Sequence, residues 1–370
     1  MSAQKTRITD TRDLLGAIPT MLGFHPHHSL VMLGITTPSG QLGPVARADF
    51  PDDQAEAAAL LGKLGQQLHG FGVSHVIAVL FTADVEPQTA PGVRTVFEAL
   101  WTTTAAAGLG VLEVWHVGPT LYRSLPATAA QEEVSRTGLV EDLYGGRVLA
   151  ELVGMGVPVS AGTREDLFAC LTPAPEVHRA SVAVLVERYR LELAAGAPTV
   201  DAAFLTWKNE AERARANPDA VHELAPDAAA LLLACLPEAD FRDAVMVDSV
   251  PGGDPVGLAL LTGDPSSQAL LAELLESVFT SGKTAPDPVT VNGARRVLEA
   301  LVRQAPAGVA AHPLAVLAFL AWWQDETVIA GEAAQRAVED EGVSTLATLV
   351  AKALGVGFRP GWTAASRQRQ

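Results

Sequence analysis

Apolar positions follow two different patterns along the chain, and the change lies near the middle. In the first half, short apolar runs of strand length alternate with stretches of helical period. SLVMLGI and HVIAVLF are continuous enough for strands covered on both faces. The predicted strands are Ser29–Ile35, Leu42–Phe50, His75–Phe81, Val111–Val117 and Leu121–Leu125. The predicted helices between and after them are 54–69, 92–107, 143–153, 164–171 and 176–194. Strands alternating with helices predict an α/β domain, a mixed sheet with flanking helices, over residues 1–196.

The second half reads as one helix after another. Helices are expected near 200–215, 219–235, 238–246, 265–281, 287–304, 312–324, 327–340 and 344–354, with a Gly/Pro loop at 250–257. We therefore predict an all-helical domain over residues 197–363. It ends in helical hairpins of tetratricopeptide type, and a polar tail follows at 364–370.

The stretch LLGAIPTMLGFHPHHSLVML joins a helix, a turn and a buried strand within twenty residues. Pro19 removes a backbone donor and should kink or end the helix early, and Gly23 suits a helix stop. The pair His25-Pro26 forces an extended or turn conformation. His25, His27, His28 and Ser29 then stand at the entrance to a central strand, where loops often carry function.

The three histidines allow two interpretations. Histidines at i and i+2 on an extended segment, His25 and His27, can share a metal ion, and His28 can supply a third ligand. Alternatively, they belong to a turn and face solvent. Zinc requires a further ligand at close range, and the sequence does not indicate which residue supplies it.

Arg47 and Asp49 share one face of the second strand because side chains alternate with a period of two. A charged pair on an otherwise apolar strand can line a pocket at the sheet edge. It can equally form a solvent-facing salt bridge. Both interpretations stay open from the sequence.

Composition restricts the class of protein. The 370-residue chain has a net charge of −16 and a pI near 4.9, which disfavours nucleic-acid binding because an acidic chain repels phosphates. Cys170 and Cys235 fit neither a metal spacing nor a disulfide framework. The strongest apolar segment, residues 313–323, is too short to span a bilayer, and the N-terminus lacks a cleavable apolar core. We expect a soluble cytoplasmic protein without a membrane partner.

Familiar catalytic motifs are missing from the sequence. Ser281-Gly-Lys-Thr284 resembles the end of a phosphate-binding loop, but position 277 is Ser rather than Gly and a helix rather than a strand precedes it. No GxGxxG follows a strand, and neither GxSxG nor HExxH occurs. The sequence therefore identifies no catalytic residue and leaves any cofactor undetermined, and an enzyme of rarer design stays open.

Two adjacent tryptophans lie near the end of the helix at 312–324. Trp322 continues its apolar stripe, whereas Trp323 points about 100° away, at the margin of the stripe. A partner protein can cover Trp323 there. Ordinary packing at the edge of a core explains it equally well.

Three segments carry a resemblance to a known family: the opening stretch quoted above, YRSLPATA with ELVGMGVPVSAGTREDLFACL in the middle, and HPLAVLAFLAWWQDETVIAGEAAQRAVEDEGVSTLATLVAKAL near the end. Together they make the chain similar to the DUF4192 family, a group of mainly actinobacterial proteins whose name records an unassigned function. The resemblance covers most of the chain and implies no particular activity.

Two hypotheses for function follow. The first is a protein-binding or adaptor module that meets a partner through its C-terminal helices, or that forms a homo-oligomer. It is favoured by the missing catalytic motifs and the large helical domain. The second is a small-molecule or metal-dependent enzyme with a pocket at the strand ends near His25–Ser29, Arg47 and Asp49.

Overall fold

The structure is a computed structural model of the 370-residue chain. It describes residues 10–36, 40–86, 92–126, 136–154, 162–197, 199–218, 220–280, 284–340 and 344–363. The chain divides into two compact units, residues 1–167 and 168–370. The polar tail predicted at 364–370 and most of the Ser281-Gly-Lys-Thr284 segment lie outside the described residues.

The first unit contains a mixed sheet with helices, as the sequence predicts. Its strands are β1 (Ser29–Thr36), β2 (Gln41–Asp49), β3 (His75–Phe81), β4 (Gly110–Val117), β5 (Leu121–Ser124) and β6 (Thr137–Leu139). Its helices are α1 (Thr11–Leu22), α2 (Gln54–Gly70), α3 (Val93–Ala106), a 3₁₀ helix (Val140–Gly145), α4 (Arg147–Gly154) and α5 (Arg164–Leu167).

The six strands lie in the order β2-β1-β3-β4-β5-β6. The pair β3–β4 is parallel and is connected through α3, whereas the other neighbouring pairs are antiparallel. Because β1 runs against β3, the start of β1 lies at the same edge of the sheet as the ends of β2, β3 and β4. Alternating side chains cover both faces of this sheet.

Helices α2 and α3 cover one face of the sheet. The buried residues of this core include Leu30, Met32, Ala78, Leu80 and Val114 from the strands, and Leu61, Leu64, Val96 and Leu100 from the helices. The fully buried positions of β1 and β3 explain why these two strands are continuous apolar runs in the sequence.

Helix α1 lies over the opposite face. Arg136 joins the two elements, since its guanidinium stacks on Trp115 of β4 at 4.9 Å and donates to the hydroxyl of Thr11 at 3.2 Å. The Asp10 carboxylate caps the helix, and Gly23 ends it in a left-handed conformation (φ 81°). The expected early break at Pro19 is wrong: the helix continues to Leu22, and its face including Pro19 is buried.

Every described secondary-structure element of the second unit is a helix. It contains a 3₁₀ helix (Ala169–Leu171), α6 (Glu176–Ala194), α7 (Thr199–Ala216), α8 (Pro226–Cys235), α9 (Ala239–Val247), α10 (Gly253–Leu261), α11 (Ser267–Phe279), α12 (Pro288–Gln304), α13 (Ala311–Trp323), α14 (Thr327–Glu339) and α15 (Thr345–Gly355). Helix α13 is buried along nearly its whole length and forms the centre of the C-terminal helices. No described helix combines the length and the apolar character needed to cross a membrane.

Several elements differ from the sequence-based expectation. The helix expected near 219–235 begins only at Pro226, and the helix expected at 164–171 ends at Leu167 and is followed by a 3₁₀ helix. The expected loop at 250–257 overlaps α10, where Gly252 at φ 83° begins the helix and Pro255 lies in its first turn, a position that tolerates proline. The sequence also predicts no strand between Leu125 and residue 143, yet Thr137–Leu139 pairs with β5. Three residues are too few to show a strand period in the sequence.

The compact units also divide the chain earlier than the boundary placed at residue 196. Helix α6 belongs to the second unit, where Arg188 bonds to Asp227 of α8 at 2.7 Å. The Tyr189 hydroxyl donates to the same carboxylate at 2.7 Å. The predicted boundary therefore falls inside the helical unit.

Candidate functional site

The register of the strands gathers several chain segments at one edge of the sheet. Ser29, the first residue of β1, lies opposite Asp49 of β2 and Phe81 of β3, and Phe81 lies beside Val117 of the parallel strand β4. In open α/β sheets, ligands bind outside the carboxyl ends of parallel strands. The predicted candidates from His25 to Ser29, with Asp49, lie at this edge.

The turn before β1 has a specific backbone shape. Gly23 and His28 both adopt positive φ values, 81° and 45°, and such a value is uncommon for a residue with a Cβ. The His28 carbonyl accepts a hydrogen bond from the amide of Phe50 at 3.4 Å, and the two rings lie 6.1 Å apart. These contacts hold the turn against the end of β2.

The three histidines diverge. His25 is half-buried and packs edge-on against Tyr144, with ring centroids 5.2 Å apart, whereas His27 and His28 are exposed and contact each other. Burial lowers the pKa of His25 from its ordinary value. Within the described ranges, no three His, Cys, Asp or Glu side chains come together to hold a metal ion.

Arg47 and Asp49 form the ion pair that their shared face predicts, at 2.5 Å. The Arg47 side chain is only 15% exposed, and its guanidinium lies 5.8 Å from the ring of Phe24, whereas the Asp49 side chain is 72% exposed. Alternation puts Ser29 on the same face, diagonal to Arg47, because Arg47 lies opposite Val31. The face toward α1 therefore carries a serine hydroxyl and a guanidinium on two neighbouring strands.

Two polar atoms in this arrangement lack a hydrogen-bond partner among the described residues. They are the hydroxyl oxygen of Ser29, which is fully buried, and Nε of Arg47. Leaving a buried polar group unpaired costs about 1–3 kcal/mol. Such groups in a native protein call for an explanation, often a missing water or ligand.

Tyr144 contacts His25 in the turn before β1 and was missed by the sequence analysis. It lies on the 3₁₀ helix after β6, and its hydroxyl is 3.4 Å from Nδ1 of His25. Partial burial raises the pKa of Tyr144 from its ordinary value. We call His25, Ser29, Arg47, Asp49 and Tyr144 the strand-end cluster.

A second polar group occupies the other face of the same edge. His116 near the end of β4 is fully buried, and its Nε2 lies 2.9 Å from the hydroxyl of Thr82, which follows β3. Its Nδ1 has no partner in the described part of the chain. Beside it on β5, Arg123 makes two bonds to Glu86, at 3.0 and 3.2 Å. Burial, with a contribution from Arg123, lowers the pKa of His116 to about 4.

This pKa predicts that the protein loses stability in mild acid. Between pH 6.5, the ordinary pKa of histidine, and about pH 4, His116 is protonated in the unfolded chain but stays neutral in the folded protein. The contribution of neutral His116 to the free energy of unfolding is therefore fully present above pH 6.5. On the order of 3 kcal/mol of it is lost as the pH falls to 4, at about 1.4 kcal/mol per pKa unit.

The difference between wild type and His116→Gln in urea unfolding, followed from pH 7 to pH 4, isolates this contribution. The variant should show the smaller loss, because glutamine takes no proton and its amide can still bond to Thr82. An equal loss in both proteins would contradict the assignment to His116.

Comparison with known proteins identifies the family of the chain but assigns it no activity. The family model described as a domain of unknown function, DUF4192, matches residues 12–361. The chain belongs to the DUF4192 family. The match spans both compact units and includes the whole strand-end cluster. No curated protein and no solved structure matches the chain.

The remaining predicted binding residue of this DUF4192 protein, Trp323, lies far from any exposed margin. It is fully buried, its indole donates to the carbonyl of Thr284 at 3.3 Å, and its own carbonyl accepts from the indole of Trp362 at 2.7 Å. The expected position at the margin of the helix stripe is wrong, because neighbouring chain segments cover α13 on all sides. The strand-end cluster is therefore the better candidate site.

Proposed function

We propose that the strand-end cluster binds a small polar molecule that carries an anionic group. The observation that carries this proposal is the pair of unpartnered buried atoms, the Ser29 hydroxyl and Arg47 Nε, on one face of two adjacent strands. Both atoms are covered in the unliganded protein, so a ligand has to displace the exposed Asp49 carboxylate to reach them; acceptors supplied to both atoms would then recover the free energy that is lost there. No reaction is assigned to the site.

The charges and donors around these atoms fit an anion. Arginine recognises carboxylate and phosphate groups through its planar fork of donors. Asp49 neutralises Arg47, but its side chain is largely exposed, so it can turn outward when a ligand anion takes its place. The Tyr144 phenol offers a further donor, which in the unliganded protein faces Nδ1 of His25 at 3.4 Å.

Isothermal titration with a panel of small carboxylates and phosphate esters tests this proposal. We expect at least one to bind the wild-type chain, and Arg47→Met to weaken that binding by at least tenfold. Arg94→Met is the matched control, because Arg94 makes only an exposed pair with Glu98. Binding that is equally weakened by both substitutions, or by neither, would refute the role of Arg47.

Ser29→Ala should stabilise the unliganded protein, which is unusual for a substitution at a buried position. Most core substitutions destabilise, but this one removes an unpaired buried hydroxyl and should raise the free energy of unfolding of the unliganded protein by about 1 kcal/mol. It should also weaken ligand binding. Ser249→Ala is the control, since the Ser249 hydroxyl is likewise buried and unpartnered but lies in the helical unit.

Both serine variants should gain stability in urea titrations, and only Ser29→Ala should lose affinity for the ligand. If Ser29→Ala is less stable than wild type without ligand, the hydroxyl makes a favourable interaction in the unliganded protein, and the argument for a ligand at Ser29 fails.

Protein binding through the C-terminal helices is a second candidate. It is supported by a groove of about 370 Å³ along α14 and α15. The residues that line it are Gly331, Gln335, Val338, Glu339, Ala351 and Leu354. A groove with aliphatic walls suits one amphipathic helix of a partner protein.

We place either binding function in the cytoplasm, since neither Cys170 nor Cys235 forms a disulfide.

Affinity isolation of the wild-type chain and Ala351→Arg, compared by quantitative mass spectrometry, tests this second candidate. Ala351 is exposed, so the arginine fills the groove without disturbing a core. A protein retained by the wild type and lost from the variant is the expected result. Identical sets of retained proteins would count against the groove.

A further inference from the structure

A cavity of about 240 Å³ lies beside the loop that joins α7 to α8 in the helical unit. Its lining includes Arg213 of α7 and, from the loop, Asn217, Val221, His222 and Glu223. These side chains supply hydrogen-bond donors, acceptors and aliphatic surface in one place. The volume is smaller than that of sites for drug-sized ligands, so the cavity suits a small molecule. We call it the loop cavity.

A buried histidine–carboxylate pair lies at the loop cavity. His222 is buried, and its Nε2 lies 2.9 Å from a carboxylate oxygen of Glu210, which is buried as well. Arg213 donates to both oxygens of Glu210, at 2.6 and 2.8 Å. The carbonyl of His222 accepts a hydrogen bond from Arg303 of α12 at 2.7 Å. Side-chain and backbone contacts together fix the position of this imidazole.

The contact with Glu210 also fixes the tautomer of His222. An ionised carboxylate only accepts hydrogen bonds, so Nε2 carries the proton, and Nδ1 keeps a free lone pair. Nδ1 has no hydrogen-bond partner among the described residues. Burial lowers the pKa of His222, and Arg213 and Arg303 add to this effect against the opposite effect of Glu210. The imidazole is therefore an acceptor at neutral pH.

The charged groups around the loop cavity balance one another. Arg213 and Arg303 carry two positive charges, and Glu210 and the exposed Glu223 carry two negative ones. The Arg213 side chain is 59% exposed, so part of its fork of donors is open to a carboxylate. Asn217 donates through Nδ2 to the carbonyl of Arg213 at 3.4 Å, which leaves its oxygen as an acceptor. A molecule with one charge of each sign keeps this balance.

We propose that the loop cavity binds a free α-amino acid with a small aliphatic side chain. The ligand carboxylate pairs with the open donors of Arg213, and the ammonium group donates to Nδ1 of His222 and pairs with Glu223. The aliphatic side chain packs against Val221, which is 74% exposed in the unliganded protein. The proposal is independent of the strand-end cluster, which lies in the first unit.

Isothermal titration of the full chain with alanine, valine and leucine in turn tests this proposal. We expect at least one of them to bind the wild type, and Glu223→Gln to weaken that binding at least tenfold. Glu273→Gln is the matched control, because Glu273 is an exposed carboxylate on α11 outside the cavity lining, and it should bind like wild type. Arg47→Met should also bind like wild type, since Arg47 belongs to the strand-end cluster.

Derivatives of the bound amino acid test its two charges separately. The N-acetyl derivative lacks the ammonium group and the α-amide lacks the carboxylate, so each should bind at least tenfold more weakly. Affinity for the amino acid should also fall between pH 7 and pH 5, because protonated Nδ1 of His222 can no longer accept from the ammonium group. An anion held by protonated His222 would show the opposite pH dependence.

A wild type that binds none of the three amino acids overturns the proposal, and so does binding that Glu223→Gln leaves intact. An N-acetyl derivative that binds as well as the amino acid overturns the zwitterionic class of ligand. An affinity that rises in acid overturns the role of His222 as an acceptor. Circular dichroism confirms that Glu223→Gln and Glu273→Gln are folded.

Discussion

Trp323→Ala should lower the free energy of unfolding by about 3–5 kcal/mol, the usual cost of deleting a large buried aromatic side chain. The side chain is fully buried and α13 is covered around it, so the cavity cannot be filled by a small shift. The substitution also removes the indole bond to the Thr284 carbonyl. Urea unfolding of the full chain, followed by circular dichroism, measures the change.

Leu349→Ala is the control for this prediction. Leu349 lies on α15 and is 58% exposed, so its truncation should change the free energy of unfolding by no more than about 0.5 kcal/mol. A Trp323→Ala protein as stable as Leu349→Ala would mean that Trp323 is at the surface. It would then be available to a partner, which is one of the two interpretations that the sequence leaves open.

Gly16→Ala should destabilise the first unit and disturb the strand-end cluster together. A Cβ atom on Gly16 of α1 would stand 2.1 Å from the carbonyl oxygen of Leu143, so the helix and the 3₁₀ helix must move apart. Overpacking of this kind costs about 1–3 kcal/mol. Tyr144 follows Leu143 directly, so the same movement should shift its hydroxyl away from His25 and weaken ligand binding.

The control is the same substitution where there is space. Gly62 lies inside α2, and its nearest neighbour to a new Cβ is a methyl group of Thr103 at 3.7 Å, an ordinary contact. Gly62→Ala should therefore stabilise the protein by about 0.5–1 kcal/mol, because alanine favours a helix more than glycine does. If the two glycine variants change the unfolding midpoint in the same direction, the close approach of α1 to Leu143 is wrong.

The sheet could be predicted from sequence wherever burial leaves a long pattern. Strand β3 has the predicted limits, His75–Phe81, because a strand covered on both faces reads as an unbroken apolar run. Helix α6 likewise has its predicted limits, Glu176–Ala194. Strand β6 could not be found in the same way, since three residues that pair with one edge strand carry no period.

The site could be predicted only where it depends on local geometry. The shared face of Arg47 and Asp49 follows from the period of a strand, and the ion pair confirms it. The contact of Tyr144 with His25 joins residues 119 positions apart, and no local pattern specifies it. The choice between the two interpretations of Trp323 likewise needed the structure, because distant segments cover this side chain.

Native mass spectrometry of the chain, isolated gently from its source, tests the central claim most directly. The account predicts a wild-type mass above that of the chain by one small molecule, and the bare chain mass for Ser29→Ala and Arg47→Met. Arg94→Met should keep the added mass. A bare chain mass in all four proteins, or an added mass that survives both substitutions in the cluster, would contradict binding at the strand ends.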